Sequence, residues 1–248
     1  LYINIRLEII FMALPKIGYP TYELELPSTG KTIKYRPFLV KEEKVLLMAL
    51  ESKDEKQVIG AVKDLIKNCV ISRIKVEQLP SFDLEYIFLK IRAASIGEIV
   101  NLNVTCLDDN KTEVEAQINI NDVQVFKPEG HDQKVMISES SGIIMKYPSM
   151  KQFIDREFLQ KDMNTEDVYD FIADSIDQIF DDEEVYDSST TTKKEFRSFV
   201  DGLTTKQFES IQQFYLTCPK LSHTFVVVNP NTGKESEYTI EGLQSFFA

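Results

Sequence analysis

Two histidines, three cysteines, nine glycines and no tryptophan in 248 residues leave little from which to build an active site. His131 and His223 lie far apart. Nothing marks Cys69, Cys106 or Cys218 as an activated nucleophile, so the base–nucleophile pairing of covalent catalysis is not visible. An odd number of cysteines without close spacing argues against a disulfide framework and for free thiols in a reducing compartment, packed as small hydrophobes. Positive charge is scarce too. With 28 Lys+Arg against 40 Asp+Glu the formal net charge is −12, the opposite of the basic face of a nucleic-acid binder. No apolar run is long enough to span a bilayer. Leu1–Phe11 is apolar but short, carries Arg6 and Glu8, and lacks a small-residue cleavage site; it reads as an extension upstream of a start at Met12. These scarcities predict a soluble protein with no membrane, nucleic-acid or small-molecule partner and no cofactor or metal.

What is present is core-forming material. Apolar residues make up 43% of the chain, with 16 Phe, enough for one large or two modest domains. Tyr22–Leu26 and Thr32–Tyr35 alternate around a Pro-Ser-Thr-Gly turn and predict a β-hairpin. Val40–Leu50 reads as a helix with Glu42 and Glu43 in its first turn. Asp54 caps a second, striped by Val58, Ile59, Val62, Leu65, Ile66 and Cys69. A third, opened by Pro80-Ser81 and ended by Gly97, is apolar on nearly every side and should be deeply buried. Ile99–Val104 and Thr112–Ile120 predict a second hairpin. Val123–Gly130 reads as a loop, Lys134–Ile137 with Gly142–Lys146 as a short strand pair, and Tyr147 onward as a helix to about Leu159.

The remainder reads as mainly helical. A helix capped at Asn164 or Thr165 carries Val168, Phe171, Ile172, Ser175, Ile176, Ile179 and Phe180 on one face and Asp167, Asp170, Asp174 and Asp177 on the other. An acidic loop, Asp181–Asp187, follows. Thr192/Glu195 and Thr204/Gln207 are capping boxes, with Gly202 and Pro219 as stops. Thr224–Val228 and Glu237–Ile240 flank the Asn229–Lys234 turn of a last hairpin. The fold class is α+β: residues 1–11 as an extension, 12–146 as hairpin, three helices and middle β region, and 147–248 as a helical region ending in a hairpin, with the boundary between the last two near 130–147.

Several apparent sites dissolve on inspection. Gly30-Lys31-Thr32 resembles the tail of a P-loop, but Glu25 stands where the partner glycine belongs and no helix follows. Asp181–Asp187 departs from the calcium-loop pattern at Val185, Tyr186 and Thr192. Asp170, Asp174 and Asp177 read as a solvated face. Acid is concentrated between Lys151 and Lys220, with 16 Asp+Glu against 8 Lys+Arg; Asp181, Asp182, Glu183 and Glu184 are therefore candidates for docking a basic partner. Phe246 and Phe247 are the second candidate. They can dock on the chain's own last helices or in a neighbouring subunit, and two adjacent aromatics cannot both point inward from one short turn.

Three blocks carry a family resemblance: Tyr19-Pro20-Thr21-Tyr22 through Tyr35-Arg36-Pro37-Phe38-Leu39-Val40-Lys41-Glu42-Glu43-Lys44; Leu79-Pro80-Ser81-Phe82-Asp83-Leu84-Glu85-Tyr86 through Gly97-Glu98; and Lys194-Glu195-Phe196 through Pro219-Lys220-Leu221-Ser222-His223 to Phe246-Phe247. With them the chain resembles the baseplate hub subunit family of T-even-type contractile-tailed bacteriophages. The resemblance implies a non-enzymatic part of the tail baseplate hub, in the virion and in the host cytoplasm during assembly, whose partners are other tail proteins. A transient hub-assembly chaperone, an enzyme or nucleotide-binding protein with a scattered site, and a host-derived adaptor are the alternatives. One departure stands out. Cys106–Asn110 and Asn229–Gly233 look like zinc knuckles, C-P-x-C-G, that have lost ligands. Structural zinc needs four Cys/His ligands, so even if relatives bind zinc there, this chain should not.

Overall fold

The structure is a computed structural model that describes residues 18–149 and 165–242. Its first elements follow the local signals. β1 (Tyr22–Glu25) and β2 (Thr32–Tyr35) pair antiparallel, then come α1 (Val40–Ser52), α2 (Glu55–Cys69) and α3 (Ser81–Ile96). Asp54 caps α2 through its carboxylate, which accepts from the Lys56 and Gln57 amides. Phe82, Leu84, Ile87, Phe88, Leu89 and Ile91 of α3 are all buried, as its apolar composition predicted. β3 (Ile99–Thr105) and β4 (Glu113–Asn119) form the second hairpin.

The next strand departs from expectation. Gln124–Phe126, read as loop, is β5; it pairs antiparallel with β10 (Lys220–Val228), Leu221 opposite Val125. β10 also pairs with β11 (Glu235–Glu241), giving the order β11-β10-β5. Leu221, Phe225 and Ile240 of this last hairpin pack with the first core, beside the helices α1 to α3.

A second core gathers around a four-stranded antiparallel sheet, β6 (Lys134–Met136), β7 (Gly142–Met145), β8 (Ile176–Phe180) and β9 (Val185–Asp187). Against it lie α4 (Thr165–Asp174), α5 (Lys193–Asp201) and α6 (Thr205–Leu216), contributing Ile172, Phe196, Val200, Ile211 and Phe214. Both capping boxes predicted for α5 and α6 form.

The expectation of a mainly helical C-terminal half is overturned: among the described residues, four strands share it with three helices. The helix expected to run through Phe180 stops at Asp174, and Ile176–Phe180 is a strand. Ile176 and Ile179 are spaced as on a helix face, but a β-bulge produces the same result. Ile179 pairs with Ile143 and Ile176 with Met145, with the register shifting between them, so both isoleucines lie on one side of the sheet. The acidic stretch likewise ends in strand, at β9, rather than running as loop to Asp187. Tyr147–Ser149 is not helical: the Pro148 carbonyl accepts from the Ser81 amide at 3.1 Å and Ser149 bridges Pro80. The rest of the helix expected to about Leu159 lies outside the described residues.

The two cores meet at an aromatic joint. Tyr147 meets Phe82 edge-on at 5.1 Å and stacks with Phe214 at 6.0 Å, while His131 stacks on both Tyr147 and Phe214.

Candidate functional site

Three hairpin tips close through the same turn. The Gly30 amide donates to the Leu26 carbonyl at 2.8 Å, Asn110 to Cys106 at 2.9 Å and Gly233 to Asn229 at 2.8 Å. The donor residue has positive φ each time: 68° at Gly30, 52° at Asn110 and 71° at Gly233. Asn and Gly are the residues that tolerate this conformation. The likeness of the three tips in sequence is therefore a likeness of turn geometry.

Two of these tips, far apart in the chain, touch. Asn229 is fully buried. Its Nδ2 donates to Asp108 Oδ1 at 2.8 Å and to Asp109 Oδ2 at 3.1 Å, and its Oδ1 accepts from the Asn231 amide at 2.9 Å. The Thr232 hydroxyl donates to Asp108 Oδ2 at 2.5 Å, and Asn231 Nδ2 to Thr112 Oγ1 at 3.0 Å. The Thr112 hydroxyl in turn donates to Asp109. Hydrogen bonds from Asn229 and Thr232 hold Asp108 below the usual carboxylate range; those from Thr112 and the Lys111 amide do the same for Asp109. Cys106 is buried in this tip, and burial with the two nearby carboxylates pushes its thiol up. Beside the contact, the Tyr238 hydroxyl donates to the Thr105 carbonyl at 2.6 Å.

The candidate docking residues Asp181–Glu184 form the exposed tip between β8 and β9. Asp181 serves the turn itself, since its Oδ1 accepts from the Glu183 and Glu184 amides at 2.9 and 2.8 Å. Asp182 and Glu183 are left as charge presented outward, beside Val185 and Tyr186, which are 60% and 40% exposed. Phe246 and Phe247 lie outside the described residues.

The aspartates read as a solvated face are solvent-exposed, and each also makes a surface ion pair. Asp170 and Asp174 pair with Arg197 and Lys193 of α5 at 3.6 and 2.8 Å, and Asp177, in β8, pairs with Lys146 at 3.2 Å. Among the described residues no His/Cys/Asp/Glu group has the arrangement of a metal site. His131 engages Thr217 Oγ1 at 2.9 Å and the Tyr147 hydroxyl at 3.2 Å, a packing role, and His223 stacks on Phe225. Burial pushes the Cys69 thiol up to about 11, the opposite of an activated nucleophile. Cys218 is half-buried, and no disulfide joins the three.

Sequence reasoning missed one surface. Val40, Leu47 and Met48 lie along one side of α1 at 80%, 52% and 60% exposure. Only this excess of apolar surface could have signalled it, because Leu46 and Ala49 already supply the buried face.

A family model described as T4 bacteriophage base plate protein matches residues 19–248, and the chain belongs to that family. It is a T4-type phage baseplate protein, a viral tail component whose partners are other phage tail proteins. Family membership points to a structural rather than catalytic role. No curated protein and no solved structure matches the chain. No described helix is long and apolar enough to cross a membrane.

Proposed function

We propose that the chain is a subunit of the central baseplate hub and acts by docking to neighbouring tail proteins during assembly. The observation that carries this reading is the β8–β9 tip, where Asp182 and Glu183 stand exposed beside Val185 and Tyr186. Apolar anchors supply interface energy, and flanking charge steers encounter with a basic partner. The exposed side of α1 is a second contact surface, since apolar patches on a protein surface commonly mark interaction sites. Phe246 and Phe247 belong to the same reading as a C-terminal anchor.

The test is a pull-down of the tagged full chain from infected cells, wild type against Asp182→Lys with Glu183→Lys. Asp181 is retained because it holds the turn. Wild type should retain hub proteins, identified by mass, and the variant should lose them while melting at the wild-type temperature. Equal capture by both would remove the tip from the interface. Capture of only outer baseplate proteins would remove the hub assignment.

A further inference from the structure

We propose that the two opposed tips form the ligand frame of a four-cysteine zinc clasp, which this chain closes with hydrogen bonds in place of the metal. Structural zinc is commonly held by two short-spaced Cys pairs, four donors at tetrahedral geometry. The turn geometry fixes which residues correspond. Cys106 and Asn229 each accept, at the backbone carbonyl, from the residue four positions on, and each donates its amide back across the turn, Cys106 to Thr112 six positions on at 2.7 Å and Asn229 to Lys234 five positions on at 2.9 Å, so the tips match up to the fourth position and the Cys106 tip is one residue longer on its return. They are equivalent first positions, so Asp109 and Thr232 are equivalent fourth positions. Cys106 with Asp109 and Asn229 with Thr232 thus have the spacing of two C-x-x-C pairs on tips that touch.

The donor chemistry does not suit a metal. Only Cys106 keeps a thiol. Asn229 turns N–H bonds toward both carboxylates and spends its carbonyl oxygen on the Asn231 amide. The Thr232 hydroxyl donates a hydrogen bond to Asp108. One tip supplies acceptors, the other donors, and that complementarity fastens the hairpins where a cation would otherwise collect four donors. The third tip serves as an internal comparison. Leu26–Lys31 has the same turn, but the hairpin is fastened by Asp83 of α3, which accepts from the Ser28 amide at 3.0 Å and from its hydroxyl, rather than by a second tip. The turn alone therefore does not make a clasp; the opposition of two turns does.

The experiment restores the thiols in the full chain, as Asp109→Cys, Asn229→Cys and Thr232→Cys together with the native Cys106. The triple variant, refolded with and without zinc, should take up one zinc per chain by elemental analysis. Its cobalt form should show the charge-transfer absorption of a four-thiolate site, and the zinc-loaded protein should melt at or above the wild-type temperature, with the gain removed by chelator. A variant that folds only with zinc supports the proposal equally. Wild type should hold substoichiometric zinc, and Asn229→Ala should melt lower than wild type. Failure of the triple variant to fold or bind zinc under either condition would overturn the ligand frame. Stoichiometric zinc in wild type, or an unchanged melt for Asn229→Ala, would overturn the replacement of metal by hydrogen bonds.

Discussion

Arg36 and Glu42 form a buried ion pair across the start of α1, with Arg36 Nη2 3.0 Å from Glu42 Oε1 and both side chains under a tenth exposed. Arg36 also donates to the carbonyls of Pro37 and Asn68 at 2.8 and 3.0 Å, and Glu42 accepts from the Leu39 amide at 2.6 Å. Burial alone would raise the Glu42 pKa, yet the hydrogen bonds from Arg36 and Leu39 hold it below its ordinary value. One pair thus joins the chain entering α1 to the end of α2.

Glu42→Ala should cost about 3–5 kcal/mol, because it strands a buried guanidinium. Replacing both partners, as Arg36→Met with Glu42→Leu, should recover most of that loss. Urea denaturation of the three proteins checks it; a single-variant midpoint equal to wild type would mean that water reaches the pair.

Two buried groups should respond to pH with opposite sign. Burial raises the Asp83 carboxyl, so the fold favours its protonated form and loses stability as pH rises through and above about 3.9, its unfolded value. Asp83→Asn should therefore melt higher than wild type at neutral pH, with the gap closing in acid. Burial, helped by Lys127 and opposed by Asp132, lowers the pKa of His131. The fold favours neutral imidazole and should lose stability as pH falls below about 6.5. His131→Phe, which can keep the stack on Tyr147 and Phe214, should flatten that acid limb. Melting curves across the pH range check both; parallel profiles for variants and wild type would contradict them.

Gly142 is required by close approach. A Cβ there would meet the Phe180 ring and lie 2.9 Å from the Val135 carbonyl oxygen. Gly142→Ala should destabilise by about 1–3 kcal/mol through overpacking, and Phe180→Leu should relieve part of it. A wild-type denaturation midpoint for Gly142→Ala would show that the sheet gives way easily.

Elements whose causes are local were legible in the sequence. Asp54, Thr192 with Glu195, and Thr204 with Gln207 cap their helices through bonds within three residues. The hairpin tips announce themselves through Asn and Gly at left-handed positions. What stayed hidden depends on distant partners. β5 is a strand only because β10, nearly a hundred residues on, lies beside it. Ile176 and Ile179 fit a helix face until the bulged pairing with β7 decides otherwise. The knuckle-like tips were visible separately; that Asn229 reaches Asp108 and Asp109 was not, because no local pattern encodes the meeting of two hairpins. Asp181 looked like one more surface charge, and only the backbone amides it accepts from reveal a structural role.

This chain is a structural part of the phage tail baseplate. Quantitative mass spectrometry of purified, salt-washed phage tails, scaled to the other baseplate proteins, tests it most directly. The chain should appear at a fixed whole-number ratio to those proteins, in preparations that keep the baseplate and not in tails stripped of it. Its absence from washed tails, with assembly still dependent on it in infected cells, would contradict a structural part and leave a transient assembly factor in its place.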